Sequence, residues 1–354
     1  MSLKNEDFSS TDPLIFNRRL SVAPMLDWTD RHARFFMRAL SKNALLYSEM
    51  VVTSAILLGD SHRHLRYNSE ELPLALQLGG SDPKALVQSA KMAEEYGYSE
   101  VNLNCGCPSD RVQSGRIGAC LMNHKELVAE CVAAMKAAVK IPVTVKTRLG
   151  IDYQDSWEFL ADFVRTVDAA GVDHWIIHAR KAWLKGLSPK ENRDVPPLDY
   201  AKVLRLKSLL PSKGFSINGG IRSLDEVQIL LQGTHPVYAE VQNQIISGTK
   251  LDGVMMGRGI YENLWILREV DQKIFGEKPT AEPQSQKEYL LSLEPYIAKQ
   301  MEKGVPLHLM TKHILSLFAG QPGARKYRQI MGEQSCATAA NISILKRAVG
   351  AISS

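Results

Sequence analysis

No stretch of this 354-residue chain approaches the ~20 consecutive apolar residues that a membrane-spanning helix needs. The first twenty residues, MSLKNEDFSSTDPLIFNRRL, carry acids and lack an apolar core of signal-peptide length. Arg18 and Arg19 are adjacent, but SVAPMLDWTD follows them rather than a long apolar run, so no export signal is expected. Cysteine is scarce, five in all and an odd number. Few cysteines and no leader argue against structural disulfides and for a reducing, cytoplasmic compartment. Two of the five, Cys105 and Cys107, lie close together. With Cys120 and His124 nearby they still match no zinc spacing, so no metal is expected. Charge of one sign is also in short supply, the formal net charge being only +5. There is no low-complexity tract and no repeat beyond the alternation described next.

What is present is a core-forming composition, 45% hydrophobic, enough for one large domain and a smaller one. Eight short apolar runs recur: LSVAPM (20–25), LLYSEMVV (45–52), LALQLGG (74–80), EVNLNCGCP (100–108), PVTVKTRLG (142–150), HWIIHAR (174–180), FSINGGI (215–221) and GVMMGRG (253–259). Between them lie segments of helical spacing such as DPKALVQSAKMAEEYG and SWEFLADFVRTVDAAG, opened by Asp or Ser and closed by Gly. Buried strands alternating with helices read as βαβ units of a parallel sheet. Eight units in about 250 residues predict an α/β fold of the (β/α)8 TIM-barrel type. A doubly wound sheet is the alternative, weakened because no G-x-G-x-x-G follows the first strand.

The expected organisation is a flexible segment over 1–17, a barrel over 18–275, a linker near 276–286 (the polar EKPTAEPQSQK) and a small all-helical domain over 287–354. From 281 to 354 the chain carries net +4, leaving +1 for the rest. That asymmetry suggests a polyanionic partner for the helical part, or simply a basic solvated surface.

In barrels of this kind chemistry sits where strands end, at the C-terminal face. The expected strand ends are rich in polar groups: Gln77, Asn102, Asn104, Cys107, Lys146, Arg148, His178, Arg180, Asn218 and Arg258. Alternation along a strand puts Asn102 and Asn104 on one face, likewise Lys146 with Arg148 and His178 with Arg180. Neighbouring strands then aim Asn104, Lys146 and His178 at one mouth. The glycine-rich ends SINGGI and MMGRG fall in the seventh and eighth slots, where backbone N–H groups commonly cradle phosphate, and Arg258 can add charge. A flavin mononucleotide, FMN, suits such a site: one phosphate for those loops, Lys146 near the ring edge that becomes negative on reduction, Gln77 and Asn104 for the ring's polar edge, Ala23, Pro24 and Met25 against a ring face. Lys146 could instead clamp a substrate anion or form a Schiff base. Cys107, one residue past a glycine and fixed by Pro108, could be a nucleophile or a general acid.

The motifs SVAPMLDWTDRHAR, NLNCGCPSDRVQSGRIGACLM, VTVKTRLGID, IIHARKAWLKGLSPKENRDVPPLDY, SINGGI and GVMMGRG resemble the tRNA-dihydrouridine synthases. Length and the long HARKAWLKGLSPKENR block resemble their A subfamily, which reduces uridines 20 and 20a of the tRNA D-loop. The resemblance covers roughly residues 18 to 350. It implies an FMN barrel followed by a helical tRNA-holding domain, with NADPH as reductant and a monomer as the expected state. Hydride passes from flavin N5 to C6 of the uracil and a proton to C5. By the family's pattern Cys107 is that acid, a role that suits a thiol because free thiols are mostly protonated at pH 7. Cys105 is left as packing. Carried over by motif, the FMN contacts are Ala23, Pro24, Met25, Gln77, Lys146, His178, Asn218, Gly219, Gly220, Gly257 and Arg258, His178 facing either the phosphate side or the substrate. Asn104 is expected to touch flavin and uracil. Lys190, Arg193, Arg325 and Arg328 match positions that contact tRNA. The target base is buried in the tRNA elbow and must be extruded, so placement rests on shape and phosphate contacts over a broad surface.

One stretch departs from the A-subfamily pattern. LQGTHPVYAEVQNQIISGTKLDG, around 232–250, is longer there and is expected to loop out on the surface. Two other readings stand beside the main one: a small-molecule FMN-barrel reductase of dihydropyrimidine type, which leaves the basic helical part unexplained, and a non-catalytic tRNA-binding protein, which needs neither Cys107, Lys146 nor the glycine loops.

Overall fold

Every one of the eight apolar runs forms a strand, but a shorter one than its apolar character suggests. In the computed structural model, which describes residues 16–109, 115–278, 283–337 and 340–352, they are β1 (Leu20–Val22), β2 (Leu46–Val52), β3 (Leu74–Gly79), β4 (Glu100–Cys105), β5 (Val143–Arg148), β6 (His174–His178), β7 (Gly214–Asn218) and β8 (Gly253–Met256). Residues 1–15 of the expected N-terminal segment, 110–114 of the cysteine motif, 279–282 of the expected linker and the last two residues lie outside the described residues. The polar tails of the runs (Gly106 to Pro108, Gly219 and Gly220, Gly257) leave the ladder, because glycine and proline release the chain from strand geometry.

All neighbouring strands pair in parallel. The order runs β1-β8-β7-β6-β5-β4-β3-β2. The ring closes through Leu45, whose N–H donates to Leu20 O at 3.1 Å and whose carbonyl accepts from Val22 N at 2.9 Å. The chain is thus a (β/α)8 barrel with a helical region after it.

Several of the barrel helices start where a side chain satisfies their free N–H groups. Asp82 caps Pro83–Glu95, Ser156 caps Trp157–Asp168 and Ser223 caps Leu224–Gln232, which Gly233 ends in the left-handed region at φ 80°. Their apolar faces (Leu86, Ala90 and Ala93 in the first) pack on outward strand residues such as Val101, Leu103, Val143 and Val145. A small second cluster of Ala23, Leu45, Tyr47, Ala75, Ile176 and Met255 fills part of the barrel interior.

The helical region rests on the first barrel helix, Arg31–Arg38. Tyr289 Oη donates to Phe36 O at 2.6 Å. Tyr296 stacks on Phe35 with centroids 3.7 Å apart, its hydroxyl 2.8 Å from His32 Nδ1. Beside the mouth His313 Nε2 lies 2.9 Å from Asp30 Oδ2, and its Nδ1 3.1 Å from Tyr261 Oη.

The 232–250 stretch is more than a surface loop. It contains a short helix, Pro236–Glu240, with Val237 and Val241 buried, and Tyr238 Oη donates to Leu230 O at 2.7 Å. As a helix-to-strand connection it lies at the N-terminal end of the barrel, opposite the mouth. No described helix is long and apolar enough to cross a membrane.

Candidate active site

Polar residues at every second position of β4 point into the barrel, and they do not stop at the mouth. Glu100, Asn102 and Asn104 share one strand face and are all buried. From the mouth inward, Asn104 Nδ2 donates to Gln77 Oε1 at 2.8 Å, Gln77 Nε2 to Asn102 Oδ1 at 2.8 Å, Asn102 Nδ2 to Thr144 Oγ1 at 2.8 Å, and Thr144 Oγ1 to Glu100 Oε1 at 2.5 Å. Glu100 also accepts from Tyr47 Oη at 2.6 Å and from Arg18 Nη2 at 2.7 Å. At the upper end Asn104 Oδ1 accepts from the N–H groups of Gly106, at 3.0 Å, and Cys107, at 2.9 Å. A backbone N–H can only donate and a carboxylate can only accept. The two ends therefore dictate the direction of every bond between them, and none of the three amides is free to flip.

Above this relay opens a cavity of about 410 Å³. Its described lining includes Lys146, Arg148, Arg193, Arg222 and Arg258 and no carboxylate. Trp28, stacked on Tyr261 at 4.5 Å, forms one wall and Met25 another. Burial pulls the Lys146 ammonium down to about 7, with the charge of Arg148 acting in the same sense. Burial, reinforced by Arg148 and Lys146, holds the His178 imidazole well below its ordinary range, so it is neutral at pH 7. Buried Arg193 Nε has no hydrogen-bond partner among the described residues. A carboxylate-free, cation-rich wall with an unused buried donor suits an anionic ligand such as a nucleotide cofactor.

The Cys107 loop is clamped from both sides. Arg148 Nε donates to Gly106 O at 2.9 Å while Nη1 donates to Lys181 O at 3.1 Å and Asn192 O at 2.9 Å. One buried guanidinium thus ties the loop after β4 to the loop after β6. Cys107 O accepts from Ala119 N at 2.9 Å. Its thiol forms no disulfide and is partly exposed. Cys105 is fully buried on the outer strand face, and burial pushes its thiol far up.

The structure gathers Ala23, Pro24, Met25, Gln77, Asn104, Cys107, Lys146, His178, Arg193, Asn218, Gly219, Gly220, Gly257 and Arg258 around this cavity. Gly219 sits at φ 113°, and a Cβ there would lie 2.8 Å from His178 Cδ2, so only glycine lets the loop approach the imidazole. Arg258 is already paired, Nη2 to Asp194 Oδ1 at 2.7 Å. Lys190 is exposed, next to the lining residue Pro189. Arg325 and Arg328 are exposed on the separate helix Ala324–Glu333 and do not line the cavity. Arg180 leaves the strand parity because β6 ends at His178. Sequence reading overlooked Thr144, Glu100, Asn192 and Asp194. For Glu100 the signal was available in its parity with Asn102 and Asn104; for buried Asn192 there was none.

A model of the dihydrouridine synthase family matches residues 21–349. A tRNA-dihydrouridine(20/20a) synthase from Escherichia coli strain K12 is 53% identical over 333 residues, 94% of this chain and 90% of that protein. One so named from Vibrio cholerae is 51% identical over 335 residues, 94% of this chain and 96% of that protein. Among solved structures, a complex of 2-naphthoyl-CoA reductase with 2-naphthoyl-CoA aligns with a TM-score of 0.53 at 13% identity, over 72% of this chain and 50% of that one, a likeness of fold alone.

Proposed function

The chain belongs to the dihydrouridine synthase family, and from that premise we propose that it reduces the C5=C6 bond of uridines 20 and 20a in the tRNA D-loop to 5,6-dihydrouridine. The family is flavin-dependent. A bound FMN, itself reduced by NADPH, would supply hydride to C6 of the uracil. The observation that carries the reading is the mouth itself: Cys107 on a doubly clamped loop beside a cavity lined by cations and by no described carboxylate.

The chain's own residues divide the remaining work. The Cys107 thiol gives its proton to C5 as charge develops there, and the bonds from its N–H to Asn104 and from Arg148 to Gly106 hold it in place. Asn104 has three of its four hydrogen-bonding positions occupied within the protein, leaving one Nδ2 hydrogen for a ligand. Lys146 offers a cation where a reduced ring collects negative charge. Neutral His178 can donate one hydrogen bond without adding charge. Arg258, with Asn218, Gly219, Gly220 and Gly257, suits a phosphate, and Ala23, Pro24, Met25 and Gln77 suit the ring. Lys190, Arg193, Arg325 and Arg328 meet the tRNA backbone.

The test is a visible spectrum of the purified protein, followed by NADPH reduction and reoxidation by unmodified tRNA. A flavin whose reoxidation tRNA accelerates is the expected result. A flavin indifferent to tRNA would point to a small-molecule reductase, and a flavin-free protein that still binds tRNA to a non-catalytic binder.

A further inference from the structure

The loops after β5 and β6 carry an aromatic pair that the cavity does not use. Tyr153 leaves 87% of its surface exposed. Its ring stands edge-on to Trp183, centroids 5.2 Å apart and planes at 85°. Lys181 Nζ lies 4.4 Å from the Trp183 ring centre and also donates to Asp155 Oδ2 at 2.8 Å. These groups stand on an ordered base. Ile151 bridges Ala182 between the two loops, and Asp152 N donates to Ala182 O at 2.8 Å. Asp152, in the left-handed region at φ 47°, accepts from Leu184 N at 2.8 Å. Buried Asn192 accepts from Trp183 N at 2.7 Å and donates back to Trp183 O at 2.9 Å.

Such an arrangement presents a large ring to water without filling any core, while a neighbouring tryptophan limits its movement. The surroundings show what it suits. The segment 181–193 holds four cations against one acid. It brings Pro189 and Arg193 to the cavity wall. Its exposed Lys185 and Lys190 pair with no carboxylate among the described residues. An exposed ring beside a segment that carries unpaired cations matches single-stranded nucleic acid, whose bases stack on aromatics while phosphates meet lysine.

We infer that Tyr153, braced by Trp183, is a stacking platform for one unpaired nucleobase of the bound tRNA, with Lys185 and Lys190 holding the adjoining phosphates. The inference rests on the function proposed above and extends its tRNA interface outward from the mouth.

The test measures the affinity of the flavin-loaded, full-length protein for an unmodified tRNA transcript by fluorescence anisotropy, across a salt series. Tyr153→Ala should raise Kd about fivefold or more, since stacking on an aromatic is worth about 1–3 kcal/mol per base. The slope of log Kd against log salt should stay as in the wild type, because tyrosine carries no charge. Tyr153→Phe and Tyr153→Trp should remain within about twofold of the wild type. Lys185→Ala should weaken binding and flatten the slope. A Tyr153→Ala variant that binds as well as the wild type overturns the platform, as does one that weakens binding only by flattening the slope. Wild-type reoxidation by tRNA, measured alongside, separates the two failures: if tRNA accelerates it while Tyr153→Ala is silent, only the platform falls, and if the wild type neither binds nor responds to tRNA, the proposed function falls with it.

Discussion

Single side chains at the mouth carry the sharpest expectations. Cys107→Ala should keep the flavin and the NADPH half-reaction but lose most dihydrouridine formation, read by product analysis of the treated tRNA. Product at the wild-type rate would remove the thiol from the acid role. Lys146 makes a thermodynamic prediction. Its folded value of about 7 lies below the ordinary lysine value of 10.5. The lysine therefore destabilises the flavin-free protein fully below pH 7, and this cost fades as pH rises from 7 toward 10.5. Lys146→Met should raise the unfolding temperature of the flavin-free protein, by more at pH 6 than at pH 9, with a gain on the order of 1–3 kcal/mol at the lower pH. Equal gains at both pH values would show that the ammonium is not desolvated. A cation kept at such a position at the expense of stability is what a functional site looks like.

Among strands and the loops they carry, the relay is the feature to test. It crosses β3, β4 and β5 and ends at the Cys107 loop, so a change deep in the barrel should be felt at the mouth. Thr144→Val removes the acceptor for buried Asn102 Nδ2, which is left unsatisfied, and one of the donors to Glu100, which keeps Tyr47 and Arg18. It should cost about 1–3 kcal/mol of stability, measured by denaturant unfolding. It should also slow dihydrouridine formation, because the amide series that orients Asn104 loses its lower anchor. Thr144→Ser keeps the hydroxyl and should recover the turnover. Matching rates for the valine and serine variants would reduce the relay to packing.

For the molecule as one body, the helical region reaches the residues beside the mouth through His313 and Asp30, and it also carries the basic helix Ala324–Glu333. Tyr327, Ile330 and Met331 turn inward there, while Arg325 and Arg328 remain in solvent. Replacing both arginines with alanine should leave stability within about 0.5 kcal/mol of the wild type. The same change should weaken tRNA binding and reduce the magnitude of the salt slope by nearly two, about 0.9 for each phosphate no longer neutralised. Unchanged affinity and slope would remove that helix from the tRNA interface.

Alternation of apolar runs with capped helical segments was enough to read a barrel, since strand periodicity and helix caps are written within a few neighbouring residues. Strand parity likewise revealed that Asn104, Lys146 and His178 face one mouth. Partners were another matter. Arg18 meets Glu100 across 82 positions, and Arg258 meets Asp194 across 64. Arg148 reaches carbonyls on two different loops. Local sequence sets which face of a strand a side chain leaves from. What it meets depends on the stagger of eight strands and on closure of the ring, which no short window of residues contains. The same holds for the 232–250 stretch, whose polar sequence concealed a packed helix at the end of the barrel away from the mouth.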